Sequence, residues 1–366
     1  MPVLLSFFYF FYFSIIGVYI IFMPKVLSTV GYSASDVGII FAAGPMVRFL
    51  LPFAFIKGLK LNTKSFNIAL VIMVLSTISF YFSLYDFYKL LFSSISFGVG
   101  LSLILPYIEV ISLECVGKER YGKIRLFGSL GFILVALVLV KFLSSPQVAL
   151  TYLLVLSVLA SSMAFFIVKN RDIHGSQNGY IDNDITLLKD WRLWLGLTLM
   201  QVSFGAFYNF FTIYETDNGV SLDMTIYLWS FGVVVEVFML FFQGRFLQKN
   251  LLLILQITTF ASALRWFLLF SFPENLGILF FAQSLHALSF ALFHSAAISY
   301  LFHLYKHKSL TQQFFSGITY GLGGFVGALS AGYIYELYPR YLFLSATFIA
   351  LMACVSIYSF ARSNNR

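Results

Sequence analysis

From its first residues to its last, the chain alternates apolar stretches of lipid-crossing length with short polar interruptions. The stretches run roughly over 4–24, 37–56, 65–84, 90–116, 124–144, 148–168, 193–214, 224–244, 251–271, 276–302, 313–334 and 340–361. Each is near the ~20 residues a helix needs to cross a bilayer. In lipid every backbone amide must be satisfied within the segment, so helix is the expected state. The pattern predicts an all-α membrane protein of about twelve transmembrane helices.

One polar stretch is longer than the rest. From Lys169 to Arg192 there is no apolar periodicity, and Asp172, His174, Gly175, Gly179, Asp182 and Asp184 read as a linker. It divides the segments six and six: an N-terminal half over 1–168, a cytoplasmic linker over 169–192 and a C-terminal half over 193–366. The halves carry an internal echo. Gly31, Ser33, Gly44 and Arg48 shift by a constant 188 residues onto Gly219, Ser221, Gly232 and Glu236. Two six-helix pseudo-repeats with a site at their interface is the major-facilitator plan of secondary transporters.

Composition agrees. The chain is 60% hydrophobic and 10% charged, against roughly 25% charged in soluble domains. The net charge of +8 could point to nucleic acid, but its distribution does not. Of 23 Lys and Arg, only Lys25, Lys89, Lys141 and Arg340 fall on one side, with Arg48 and Arg265 inside segments. The rest gather on alternate loops and at the C-terminus, as the positive-inside rule requires. The expectation is a multi-pass protein of the cytoplasmic (inner) membrane with both termini cytoplasmic, whose partner is the bilayer and not a nucleic acid. The first apolar run lacks a basic leader and a cleavage pattern, so it reads as a retained helix.

Two cysteines, Cys115 and Cys354, supply neither a disulfide framework nor metal spacing. No nucleophile motif, phosphate-cradling loop or nucleotide-binding domain occurs, so neither enzyme nor ATP-driven pump is expected, and no cofactor or metal.

The candidate chemistry lies in the few polar groups inside the apolar segments, where an ionisable residue is read as functional by default. The stretch Tyr121-Gly122-Lys123-Ile124-Arg125-Leu126-Phe127-Gly128-Ser129 opens the fifth segment, and Glu109 is buried in the fourth. In an antiparallel hairpin Glu109 and Arg125 can approach. They either lock two helices or face a cavity and bind a polar substrate. Glu236 sits mid-segment among apolar residues, as a proton carrier or as a static partner for Arg265 or Arg48. Arg265 cannot shed its charge, so an anionic neighbour or substrate is expected beside it. Arg48 either joins the network or reaches the interface by snorkelling. Gln283, His286, Phe290 and His294 lie close to one face of the tenth segment. Gln201, Gly205, Tyr208, Asn209 and Thr212 form a stripe on the seventh that could hydrogen-bond a solute. Arg48, Gln201, Gln283 and His294 are cavity-lining candidates.

Several stretches resemble a known family. Phe10-Phe11-Tyr12-Phe13, Gly17 and Tyr19, then Asp36-Val37-Gly38-Ile39-Ile40-Phe41-Ala42-Ala43, then Tyr121–Ser129, Leu228–Glu236 and Gln283-Ser284-Leu285-His286 are similar to the lactose permease-like branch of the major facilitator superfamily. Within it the phenylpropionate-permease group is the better match, over nearly the whole length. The resemblance implies proton-coupled uptake of a small organic solute by a monomer. It makes Glu109 and Arg125 the substrate-gripping pair, Phe132 the ring that stacks on substrate, and Asn209 a substrate contact. Glu236, Arg265 and His286 match the glutamate, arginine and histidine of the proton site, with His286 also a substrate contact.

The departures are equally specific. Ser289 stands where lactose permease carries a glutamate one turn after the histidine, Phe204 replaces an aspartate and Gln283 a lysine. The acidic loop between the second and third segments is reduced to Lys57-Gly58-Leu59-Lys60. Elimination leaves Glu236 as the proton carrier, with Glu109 second.

The expected function is a proton symporter importing an aromatic acid such as phenylpropionate, or a sugar, by alternating access. Its alternatives are a proton-driven exporter of amphipathic compounds and a non-transporting membrane sensor or structural subunit.

Overall fold

The computed structural model describes residues 1–57, 62–169 and 187–364. Most of the expected linker (170–186) and most of the loop after Lys57 (58–61) lie outside the described residues. The described chain is almost wholly helical, with no strand among the described residues.

Among the described residues, eleven helices are long and apolar enough to span a membrane. They are α1 (Pro2–Val30), α2 (Ala34–Ala54), α3 (Thr63–Ser83), α4 (Phe87–Gly117), α5 (Arg120–Phe142) and α6 (Pro146–Lys169), followed after α7 by α8 (Leu222–Phe242), α9 (Leu251–Ser271), α10 (Leu276–Leu304), α11 (Leu310–Leu337) and α12 (Pro339–Ser363). The helix between α6 and α8, α7 (Trp191–Asp217), has 27 residues. Its polar stripe of Thr198, Gln201, Ser203, Asn209 and Thr212 lowers its hydropathy below that of the others. With it the expected number of spanning segments is reached.

Helix starts follow capping chemistry. The side chains of Asn62, Asp86, Ser221, Asn250 and Asn275 each accept a bond from the backbone N–H three residues on, satisfying one of the orphan donors of a first turn. Several helices outlast their apolar runs: α1 continues past Pro24 and Lys25 to Val30, and α7 ends at Asp217. Between α4 and α5 the chain reverses at Gly117, with φ 71° and ψ 164°. Only glycine adopts that conformation without strain.

The chain divides into two compact units, Met1–Asn178 and Gly179–Arg366. In the first, α1 packs on the α4–α5 hairpin and on α6, α3 does the same, and α2 packs on the hairpin. In the second, α7 packs on α11 and α12, α9 on α10 and α12, and α8 on α10. The internal scheme is the same in both.

The 188-residue echo is visible in this packing. Gly31 and Gly219 both take positive φ, 110° and 88°, where α1 and α7 end. A Cβ on Gly98 would come within 2.9 Å of Gly44 Cα. The pair displaced by 188, Gly232 and His286, also touches: a Cβ on Gly232 would lie 3.7 Å from His286 Cδ2.

Candidate functional site

Each unit holds a polar cluster built from the candidate residues. In Met1–Asn178 the hairpin turn at Gly117 lays the start of α5 beside the end of α4. Arg125 Nε then stands 3.5 Å from Glu109 Oε1, both side chains about a third exposed at 32% and 28%. Tyr121, one turn before Arg125, donates its hydroxyl to the same Glu109 oxygen at 3.1 Å. The guanidinium lies over the Phe13 ring, 3.9 Å from its centroid, and near Tyr9 at 5.4 Å.

Gly128 makes room for that stack. A Cβ there would meet Phe13 at 2.8 Å and Arg125 Nη1 at 3.2 Å. Tyr9 in turn donates to Ser112 Oγ at 3.1 Å, which ties α1 to α4. Phe132 is half-buried against α1, its Cδ2 3.4 Å from where a Cβ on Gly17 would stand. Arg48 is exposed on α2 and makes no ion pair among the described residues.

The cluster in Gly179–Arg366 is deeper. Arg265 is fully buried, its guanidinium 4.2 Å from the centroid of Phe207 and 4.6 Å from that of Trp266. Nη2 donates to Gln283 Oε1 at 2.7 Å, and Nη1 reaches Ser289 Oγ at 3.4 Å and His286 Nδ1 at 2.8 Å. The other ring nitrogen, His286 Nε2, stands 3.4 Å from Glu236 Oε2. The imidazole stacks on Phe290 with 5° between planes. A wide, π-helical turn begins at Ala287, directly after the histidine, a distortion that recurs at functional sites.

The bonding fixes the tautomer. Arginine only donates, so Nδ1 accepts and the ring proton sits on Nε2, facing Glu236. A second proton on the ring would set an Nδ1–H against Arg265 N–H.

Among the described residues the side chains bonded to Arg265 are neutral, and Glu236 bonds His286 and neither Arg265 nor Arg48. Of the two expectations for Arg265, an anionic neighbour or an anionic substrate, this leaves the substrate. Two N–H groups, Arg265 Nε and Gln283 Nε2, find no acceptor among the described residues.

On the expected stripe of α7 two side chains bond within the protein. Asn209 Nδ2 donates to Gly205 O of its own helix at 2.8 Å, and Thr212 Oγ1 accepts from Trp229 Nε1 at 3.1 Å. Gly205 lies directly against Gly327 of α11. Gln201 is buried with its Nε2 unpartnered among the described residues. His294, two turns beyond His286, has its Nδ1 2.6 Å from the Tyr320 hydroxyl.

Sequence reasoning gave no role to Tyr121, Phe13, Ser112 or Phe207. Tyr121 precedes Arg125 by four residues, a spacing that places both on one helix face. The others had no signal beyond being aromatic or small in an apolar run.

The chain has counterparts among known proteins. The sequence profile of the MFS_1 like family matches residues 3–358. The chain belongs to that family. It is 24% identical over 358 residues to a probable 3-phenylpropionic acid transporter of Escherichia coli (strain K12), covering 94% of each. It is 25% identical over 329 residues to an uncharacterised transporter, YwbF, of Bacillus subtilis (strain 168), covering 83% of this chain and 79% of that one. Among solved structures, the nucleoside transporter NupG superposes with a TM-score of 0.82 at 15% identity over 98% of both chains. A bacterial homologue of the lysosomal transporter Spinster, in an inward-facing and occupied conformation, gives 0.71 at 13% identity, covering 99% of this chain and 96% of that one. The chain is therefore a multi-pass membrane transporter of the major-facilitator type and not an enzyme.

Proposed function

We propose that this transporter imports a small organic acid, with an aromatic acid such as 3-phenylpropionate as the leading substrate, together with protons. It does so by alternating access of its two halves across the cytoplasmic membrane, with both termini inside and the functional unit a monomer. The observation that carries the reading is the Glu236–His286–Arg265 chain, in which only the carboxylate can take up a proton without opposing two donors.

Charge couples the two solutes. With Glu236 ionised, its charge and that of Arg265 balance across the neutral imidazole. A proton on Glu236 leaves the guanidinium uncompensated in a low-dielectric setting, where an unbalanced charge exerts its strongest pull. An anion then enters more favourably, and the unpaired N–H groups of Arg265 and Gln283 match a carboxylate's acceptors. The name carried by the relative in Escherichia coli supports an acid over a sugar. Glu109, Arg125 and Phe132 serve as substrate contacts in the N-terminal unit, and Asn209 and His286 in the C-terminal one.

The test is uptake into proteoliposomes with and without an inward proton gradient, using labelled 3-phenylpropionate, a galactoside and a nucleoside. Accumulation of 3-phenylpropionate above equilibrium only with the gradient is expected. Accumulation of another solute alone, or accumulation indifferent to the gradient, overturns the reading.

A further inference from the structure

The C-terminal unit buries a second carboxyl group that the network above does not use. Glu215, in the last turn of α7, is fully buried, and neither of its carboxylate oxygens accepts a hydrogen bond among the described residues. A charged carboxylate so placed lacks water, donor and counter-ion together, which no folded protein tolerates cheaply. The last turn of a helix adds the partial negative charge of its unpaired carbonyls, again against an anion.

The neighbouring groups do not relieve it. On α7 itself, Tyr214 is buried and turns its hydroxyl to Leu269 O at 3.5 Å, while Asp217 is exposed and accepts from Tyr335 of α11 at 2.8 Å. The other charged groups at this end are Asp223 in the first turn of α8, Glu274 before α10, Glu336 of α11 and Arg340 at the start of α12. None of them pairs with Glu215 among the described residues. Tyr214 meets Phe343 edge-on and Phe343 stacks on Trp266, with centroids 4.8 and 5.8 Å apart. That column of rings runs from the neighbour of Glu215 to the indole beside Arg265, and no hydrogen bond joins Glu215 to the Glu236 network among the described residues.

We propose that Glu215 is a second proton-binding site of this transporter, occupied as the uncharged acid when α7, α11 and α12 are closed around it. It releases its proton only when that packing opens to water. The proton moves from the carboxyl oxygen to a water molecule and returns the same way, with no other bond changed. The site's protonation thereby reports and biases the state of this end of the C-terminal unit. The inference goes beyond the proton-carrying role of Glu236 and uses the transport reading only for its uptake measurement.

Hydrophobic carbodiimides attack protonated carboxyl groups in apolar surroundings, so the test is labelling of the protein in liposomes, mapped by peptide mass spectrometry over a range of pH. An adduct on Glu215 is expected, its rate falling about tenfold per pH unit once the acid begins to ionise. The adduct persists in Glu236→Gln, so loss of the Glu236 reading leaves this one standing. In Glu215→Gln, which keeps the shape and cannot ionise, the pH profile of uptake shifts relative to wild type. Absence of any Glu215 adduct while other buried acids are labelled overturns the proposal. So does an adduct accompanied by an uptake profile in Glu215→Gln that superimposes on wild type, since a purely structural acid would behave that way.

Discussion

His286 presents its Nδ1 lone pair to Arg265 Nη1 at 2.8 Å, and this one contact is the ground for proposing Glu236 as the proton carrier. The ring is held as the Nε2–H tautomer with Glu236 beyond it, so in that proposal a proton arriving from water ends on the carboxylate. Glu236→Gln preserves an acceptor for Nε2–H and removes the ionisable oxygen. The variant is expected to fold, to exchange labelled for unlabelled substrate near the wild-type rate, and to lose accumulation above equilibrium. Counterflow and gradient-driven uptake, measured on the same vesicles, check both halves. Gradient-driven concentration of substrate by the variant would defeat the assignment.

Arg265→Lys is not conservative here. The guanidinium addresses Gln283 with Nη2 and His286 with Nη1 while lying between the rings of Phe207 and Trp266. An ammonium reaches one partner at most and stacks poorly. Losing a hydrogen bond to a charged group costs about 1.5–3 kcal/mol, so uptake at sub-saturating substrate should fall about 10- to 100-fold. Initial rates measured against the amount of folded protein check this. A lysine variant within about twofold of wild type would show that charge alone suffices.

Much of this was legible in the chain. Segment number and the meeting of Glu109 with Arg125 follow from lipid-length runs and from isolated charges that need partners. The environment of Arg265 was not legible, because the chain shows a charge without showing that His286 stands between it and Glu236 and that Gln283 and Ser289 also accept its hydrogen bonds. The bond from Asn209 to Gly205 O of its own helix and the one Thr212 accepts from Trp229 were not legible either, because a polar stripe looks the same whether or not its members are also bonded within the protein. Glu215 escaped because the apolar run ends at Tyr214, whereas the helix continues to Asp217 and draws the glutamate inside.

In the N-terminal unit, Tyr121 offers a milder probe than either charged partner. Its hydroxyl donates to the Glu109 oxygen that also faces Arg125. Tyr121→Phe removes that bond and keeps the ring beside Tyr9, so the carboxylate retains Arg125 and gains freedom to turn. A net loss of about 1 kcal/mol corresponds to roughly fivefold weaker substrate binding, with dependence on the proton gradient unchanged. Binding titration and gradient-driven uptake together separate this from a coupling defect. If gradient dependence is lost, Glu109 carries the proton after all.

Gly117 tests the hairpin. At φ 71° and ψ 164° an alanine is strained by about 1–3 kcal/mol. Gly117→Ala should lower the melting temperature in detergent and loosen the Glu109–Arg125 contact that the turn creates. Weakened substrate binding should accompany the lower melting point. A variant with wild-type melting and binding would show that the turn relaxes freely.

The last prediction concerns a buried chain at the start of α7. Asp190 accepts from the Tyr305 hydroxyl at 2.7 Å, and the same hydroxyl accepts from Trp194 Nε1 at 3.1 Å. Tyr305 lies in the connection between α10 and α11. Burial, outweighing the donated Trp194 bond and aided by Asp190, pushes its pKa above the ordinary value. For an acid whose folded pKa is raised, the stabilisation is complete below the unfolded value of about 10 and is lost only as pH climbs beyond it. Between mildly acidic and neutral pH this chain therefore adds no pH dependence to stability. Tyr305→Phe removes the donor to a buried carboxylate and the acceptor for a buried indole at one stroke. Leaving such groups unsatisfied costs about 1–3 kcal/mol each. The expected outcome is a lower melting temperature that does not vary across that pH range, with altered tryptophan emission from Trp194. A melting point that instead changes with pH near neutrality would mean that Asp190, not Tyr305, governs the chain.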